Sequence, residues 1–399
     1  LTQLLAEERE VDVDVAGFET ALETQRARSR ADRVASSVEV GALNDSEGWR
    51  PLKDGSQTFV GYTSLEVETA VLKWKAMECG VGLVLEKNPF YFESGGQVSD
   101  TGVVRGNDWS IAVDRVAKTP IGTALFGQVD GVFPEETDDL QVTALVAADV
   151  RFDTTRNHTA THLLHAALRS HLGGHVVQRG SLVAPDRLRF DFAHTAPMTE
   201  REKGEVERFV NEAVWKNHPV EIAERRYDDA VEDGAMALFG EKYADEVRVV
   251  DVPGISMELC GGAHVSHTGD IGLFRIVSES GVASGVRRIE ALTGRGAFSY
   301  FKEREATLEE TASVLKTRPD NVVKRLEQLL TDKAAVEGLL DEARAHGSGG
   351  EDIIAEEVIE IPGGGNVVYR GLRLRVRDLD DARKWGDKFL SGGESGIAT

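Results

Sequence analysis

The sequence predicts an α+β protein of several domains: a small β-barrel, an α/β domain with a central sheet and long helices, a helical hairpin, and a partial α/β unit. Three observations lead there. The chain has 399 residues, more than one hydrophobic core usually serves, so two to four domains are expected. Short apolar runs broken by glycine occupy the stretch from about 50 to 147, the pattern of short strands in a barrel. Beyond it, apolar residues at helical spacing alternate with strand-like runs.

The expected domains run 1–45, 46–150, 151–300, 301–347 and 348–399. The first reads as helix, with Phe18, Leu22 and Gln25 on one face ahead of the basic run Arg26, Arg28 and Arg30. It is too short to stand alone. In the barrel, Phe59, Val60, Tyr62 and the run 81–86 supply strands, and Gly95 and Gly96 a turn. The third opens with a helix, 153–172, stopped by Gly173 and Gly174. A second helix, 198–215, has Thr199 as cap and Glu202 three residues on. Strands are expected at 188–192, 247–252, 272–278 and 287–292. In the fourth, Pro319 breaks two helices, Asp320 is the expected cap of the second, and Leu326, Leu329, Leu330, Val336, Leu339 and Leu340 form its apolar stripe. The last, after a glycine-rich linker, begins near Ile353.

Composition narrows the classes of function. The net charge is -22, with 68 acidic against 46 basic residues, which excludes nucleic-acid binding through a broad basic face but not through a local strip. A salty cytoplasm would favour the same acidic surface. The only two cysteines, Cys79 and Cys260, exclude a disulfide framework and suit a reducing compartment such as the cytoplasm. Cys79 reads as a small core residue. No run of 18 apolar residues spans a membrane, and no charged-then-apolar leader predicts secretion. Leu1 in place of an initiator methionine predicts a piece of a longer protein.

The chemistry concentrates in two pairs. His158 and His162 lie four apart on the expected helix, one turn from each other on the same face. Cys260 and His264 repeat the spacing far along the chain, around Gly261 and Gly262. Imidazole and thiolate are the ligands Zn²⁺ prefers, so one zinc ion is the expected cofactor. No Glu follows His158, against a HExxH protease, and the second pair is not CxxC, against a finger or ribbon. Four protein ligands suit a structural ion and three with a water a catalytic one; the spacing is compatible with both. His165, near the same face, is a substitute ligand, and His267 a surface residue.

Several motifs resemble one family in order. Asn157-His-Thr-Ala-Thr-His162, Gln178-Arg-Gly-Ser181, Leu188-Arg-Phe-Asp-Phe-Ala-His194 and Glu258-Leu-Cys-Gly-Gly-Ala-His264 look like alanyl-tRNA synthetase editing domains. Asn88-Pro-Phe-Tyr-Phe-Glu-Ser-Gly-Gly-Gln-Val-Ser-Asp-Thr-Gly102 resembles the barrel before them, and Ser284-Gly-Val-Arg-Arg-Ile-Glu290 closes the match. The resemblance runs from about Val13 to the end. It implies the end of a helical tRNA-recognition region, a barrel, an editing domain and the opening of a C-terminal domain. The charging motifs are missing, so no alanylation is expected. Homodimerisation is expected of a full-length relative and not of this chain.

The implied activity is hydrolysis of Ser-tRNA(Ala), with Gly-tRNA(Ala) as a second substrate. An alanine pocket cannot reject either amino acid strongly, since one small group discriminates by only ~1–3 kcal/mol. The resemblance places zinc in the editing pocket on His158, His162, Cys260 and His264. Thr159 and Thr161 are candidate readers of the serine hydroxyl, and Gln178 a pocket residue. Arg179, Arg287 and Arg288 are candidates for gripping the tRNA acceptor end. Asp191 and His194 are expected to hold structural hydrogen bonds. A free-standing editing protein and a tRNA-binding module with structural zinc are the alternative readings; an interaction scaffold is a third.

Overall fold

Alternation of apolar and polar residues builds the first sheet. The computed structural model describes residues 48–78, 80–135, 137, 139–237, 243–347, 352–360, 366–373, 380 and 383–387. The expected helix within 1–45 and the expected core role of Cys79 lie outside the described residues, as does most of the tail after Arg373.

The strands are β1 (Arg50–Pro51), β2 (Thr58–Phe59), β3 (Glu66–Met77), β4 (Gly80–Leu85), β5 (Lys87–Asn88), β6 (Gly102–Arg105), β7 (Trp109–Thr119), β8 (Gly122–Gly131) and β9 (Gln141–Val146). Pairing runs β3-β4-β8-β7-β6-β9 and returns from β9 to β3, which closes a six-stranded antiparallel barrel. Strand β1 pairs with β3 outside that ring, and β2 with β5. In β7, Trp109, Ile111 and Val113 point inward and Ala112 and Asp114 outward. A bulge between Val113 and Arg115 shifts the phase, so Val116 turns in. Trp74, Leu83, Leu85, Phe90 and Leu125 complete the barrel core.

Helix α1 (Ala148–Leu172) follows directly and begins five residues ahead of its expected start. Gly173 ends it, as expected. Then come β10 (Gln178–Val183), β11 (Leu188–Ala193), α2 (Glu200–Lys216), β12 (Glu221–Arg226), α3 (Tyr227–Glu232), β13 (Glu246–Val252), β14 (Ser256–Leu259), β15 (Phe274–Ala283) and β16 (Val286–Thr293). Thr199 caps α2 in a full capping box with Glu202. The expected single central sheet is two sheets. One runs β10-β11-β16-β15 and the other β12-β13-β14. Leu163, Leu164 and Leu168 of α1 share a core with Phe190, Phe192, Val206, Val210 and Ile289.

The described residues divide into two compact units, one ending at Phe301 and one beginning at Lys302. Helices α4 (Gly294–Val314) and α5 (Val322–Gly347) flank a short 3-10 turn at Pro319–Asn321. That turn is capped by Arg318, so Asp320 is not the cap. The stripe expected to close a hairpin is solvent-exposed at Leu326, Leu330, Val336, Leu339 and Leu340, so α5 has no buried seam among the described residues. A two-stranded hairpin, β17 (Asp352–Glu360) with β18 (Asn366–Arg373), follows. No helix of the described residues is long and apolar enough to cross a membrane.

Candidate metal centre

Helix α1 and the loop after β14 bring both ligand pairs together. One ligand atom each of His158, His162, Cys260 and His264 lie within 4.8 Å of one another. Cys260 Sγ is 3.3 Å from His158 Nε2 and 3.4 Å from His264 Nε2. A tetrahedral ion with Zn–N of ~2.0 Å and Zn–S of ~2.3 Å sets such pairs about 3.5 Å apart. The donor set and its convergence therefore fit zinc.

Two hydrogen-bond chains fix which imidazole nitrogen faces the cluster. Gln97 Oε1 accepts from the Ala263 N–H at 2.9 Å, which orients its amide, and the same oxygen faces His158 Nδ1 at 2.8 Å. His158 thus carries its proton on Nδ1 and turns the Nε2 lone pair to Cys260. Thr159 Oγ1 donates to Thr155 O at 3.0 Å and accepts from Val265 N at 3.2 Å. Its contact with His264 Nδ1, at 3.2 Å, is then one in which the imidazole donates. His264 Nε2 is left for the cluster. His162 Nε2 lies 3.7 Å from Glu258 Oε2, and Glu258 Oε1 is 3.1 Å from His165 Nδ1. His165 therefore serves Glu258 and stands outside the four-ligand group.

Charge follows from this packing. Burial opposes ionisation of Cys260, but the electrostatic influence of the imidazoles of His158, His264 and His162 outweighs it and holds the thiol well below its ordinary range. Burial also disfavours charge on His162, yet Glu258 and Cys260 overcome it and raise the ring to about 9. Burial and then the neighbouring His158 lower His264 to about 3.

The loop between the second pair is held close. A methyl added at Gly262 would stand 1.9 Å from His158 Cε1, so only glycine allows this approach. Arg248 Nη1 donates to Cys260 O at 2.8 Å and Gly262 O at 2.7 Å, and Tyr62 Oη donates to Gly261 O at 2.6 Å. The Arg248 guanidinium stacks 4.2 Å from the Tyr62 ring centroid. Beside this loop opens a cleft of about 660 Å³, lined by barrel residues including Tyr62, by Arg151 and Phe152 of α1, and by Ile222, Arg248 and His264. Arg151 is buried and holds Asp100 through Nε at 2.8 Å and through Nη2, and it donates to Gly61 O and Pro89 O.

The other expected residues sit as follows. Thr159 is fully buried and supports His264. Thr161 Oγ1 donates to Asn157 O of its own helix at 2.8 Å. Gln178, half-buried on β10, donates to Ser181 Oγ. Arg179 is exposed. Arg287 pairs with Glu279 at 2.6 Å, and Arg288 holds both Asp191 oxygens at 2.7 Å, so these two guanidiniums are engaged within the sheet. His194 Nδ1 lies 3.0 Å from His175 Nε2, and His267 is exposed. Gly95 and Gly96 form the expected turn, with φ of 60° and 83°. Spacing alone missed Gln97, Glu258, Tyr62 and Arg248, although Gln97 and Glu258 fall inside the quoted motifs.

Comparison with known proteins gives matches in two stretches of the chain. Residues 247–290, which carry Glu258, Cys260 and His264, match the "Threonyl and Alanyl tRNA synthetase second additional domain", and residues 1–151 match "tRNA synthetases class II (A)". Both matches are to models of aminoacyl-tRNA synthetase domains, the first to the additional domain and the second to class II synthetases. The chain is 42% identical to the alanine–tRNA ligase of Bordetella pertussis, over 99% of its own length and 46% of the relative's. Against the Bordetella avium enzyme identity is 45%, covering 95% of this chain and 43% of the relative. Against that of Staphylococcus aureus it is 46%, covering 84% and 39%. The chain is thus homologous to alanine–tRNA ligases over nearly its whole length, and it spans about half the length of the curated relatives it matches.

Proposed function

We propose that this chain is the proofreading part of an alanine–tRNA ligase, a deacylase that hydrolyses Ser-tRNA(Ala), and Gly-tRNA(Ala) as a second substrate, in the cytoplasm. The observation that carries the reading is the convergence of three imidazoles and a thiolate beside an open cleft. The domain division given above belongs to the same proposal. His158, His162, Cys260 and His264 would hold one zinc ion, which supplies Lewis acidity for ester hydrolysis. The cleft, with Tyr62, Phe152 and Ile222 among its walls, would receive the tRNA acceptor end. Arg248, stacked on Tyr62, keeps the Cys260 loop at the edge of that cleft. Thr159 acts by orienting His264, while direct readout of the serine hydroxyl by Thr159, Thr161 or Gln178 needs a substrate that reaches past the cleft lining. Arg179 is the expected tRNA contact whose side chain is exposed.

The test is release of serine from Ser-tRNA(Ala), with zinc content measured on the same sample and tRNA binding as control. Release that disappears in Cys260→Ala, with the fold retained by circular dichroism, supports the reading; tRNA binding without release overturns it. A second reading, a tRNA-binding module with a structural ion, is favoured by one observation: all four ligands come from protein. It predicts that chelation unfolds the domain.

A further inference from the structure

We infer that Gln97, a barrel residue, is a positioning residue for the metal centre: its amide oxygen fixes the tautomer of His158 and so aims Nε2 at the cluster. The inference rests on the reading that the cluster binds a metal. Gln97 comes from the turn between β5 and β6, 61 positions before His158. Gly96 makes its approach possible, because a methyl there would stand 2.2 Å from Ser181 Oγ.

Three features separate this role from ordinary packing. Gln97 is fully buried, and its Oε1 takes both the Ala263 N–H and the His158 Nδ1–H. The single oxygen therefore touches both halves of the ligand set, α1 and the Cys260–His264 loop. Its Nε2 is buried with no hydrogen-bond partner. An unsatisfied buried amide donor is a stability cost, so an apolar side chain of the same shape would serve packing better. What the glutamine adds is an oxygen in a set place, the arrangement by which an outer partner orients a ligating imidazole. Tyr62, another barrel residue, holds Gly261 O from the other side. The barrel is thereby part of the metal centre.

The experiment compares the wild-type chain with Gln97→Met and Gln97→Glu. It reads zinc affinity by chelator competition, the visible absorption of the cobalt-substituted protein, and thermal melting. Gln97→Met is expected to lose about 10- to 100-fold in zinc affinity, the usual effect of removing an outer-shell partner, and to shift the cobalt bands while still melting cooperatively. Gln97→Glu keeps an oxygen in place and is expected to restore most of both readouts. Wild-type affinity and spectrum in Gln97→Met, or equal losses in the two variants, would overturn the inference. Should Gln97→Met fail to fold, nitrogen-15 NMR of the zinc-loaded wild type decides: a protonated Nδ1 on His158 supports it, and a metal-bound Nδ1 sinks it. A wild-type chain that binds no zinc defeats the metal reading instead, and that result is distinct from the others.

Discussion

Replacing Asp100 by Ala removes the carboxylate that neutralises Arg151 inside the protein. Both side chains are about 5% exposed or less, at 5% for Arg151 and 4% for Asp100. Arg151 also donates to Gly61 O at 2.6 Å and Pro89 O at 3.1 Å, and Asp100 Oδ2 accepts from Tyr91 N at 2.6 Å. The pair thus ties α1 to three separate barrel segments. Leaving one buried charge uncompensated costs roughly 3–5 kcal/mol, against about 0–1 for an exposed pair. In a unit of this size, 1 kcal/mol moves the melting temperature by about 2–4 °C, so Asp100→Ala is expected to lower it by roughly 6–20 °C. The assay is thermal and urea unfolding of wild type, Asp100→Ala, Arg151→Met and the double variant. The double variant is expected to lose much less than the sum of the singles, because it strands no charge. A loss below about 1 kcal/mol in Asp100→Ala, or strict additivity, would refute the reasoning.

Two further predictions follow from local geometry. Gly262→Ala puts a methyl 1.9 Å from His158 Cε1, so ring or loop must move; zinc content after dialysis is expected to fall well below wild type while the barrel's tryptophan fluorescence is unchanged, and full zinc retention would count against the packing described. The carboxyl of Glu202 is held below its ordinary value of 4.5 by the Thr199 backbone N–H and then its hydroxyl. A carboxylate lowered by folding stabilises above its unfolded value and loses that contribution as pH falls through the folded one. Glu202→Gln is therefore expected to flatten the acid limb of urea stability below about pH 4.5, and an unchanged limb would show the cap makes no electrostatic contribution.

The ligands were legible because each pair is a local repeat, four residues apart. Their supports were not, because Gln97 lies 61 positions from His158 and Tyr62 lies 199 from Gly261, distances that no periodicity covers. Strand β12 carries no signature in the sequence for a different reason: nearly all of Glu221–Arg226 is exposed, so no apolar alternation marks it or the second sheet that it edges. The arginines of β16 read as free cations in the sequence. Register then set Arg288 directly opposite Asp191, a pairing of strands 97 positions apart. Helix α1 was legible in type but not in start, since it buries polar residues such as Arg151, Thr154 and Asn157 on faces an amphipathic pattern would leave to water.

His158 and Cys260 stand 102 positions apart along the chain. An ion gripped by both would act as a detachable clasp across that whole length, and clasps over long segments restrict the unfolded ensemble most. A disulfide does the same work only where the surroundings are oxidising. Here the tether would be governed by free metal, so starvation for it would slacken the Cys260 loop and the architecture around it together.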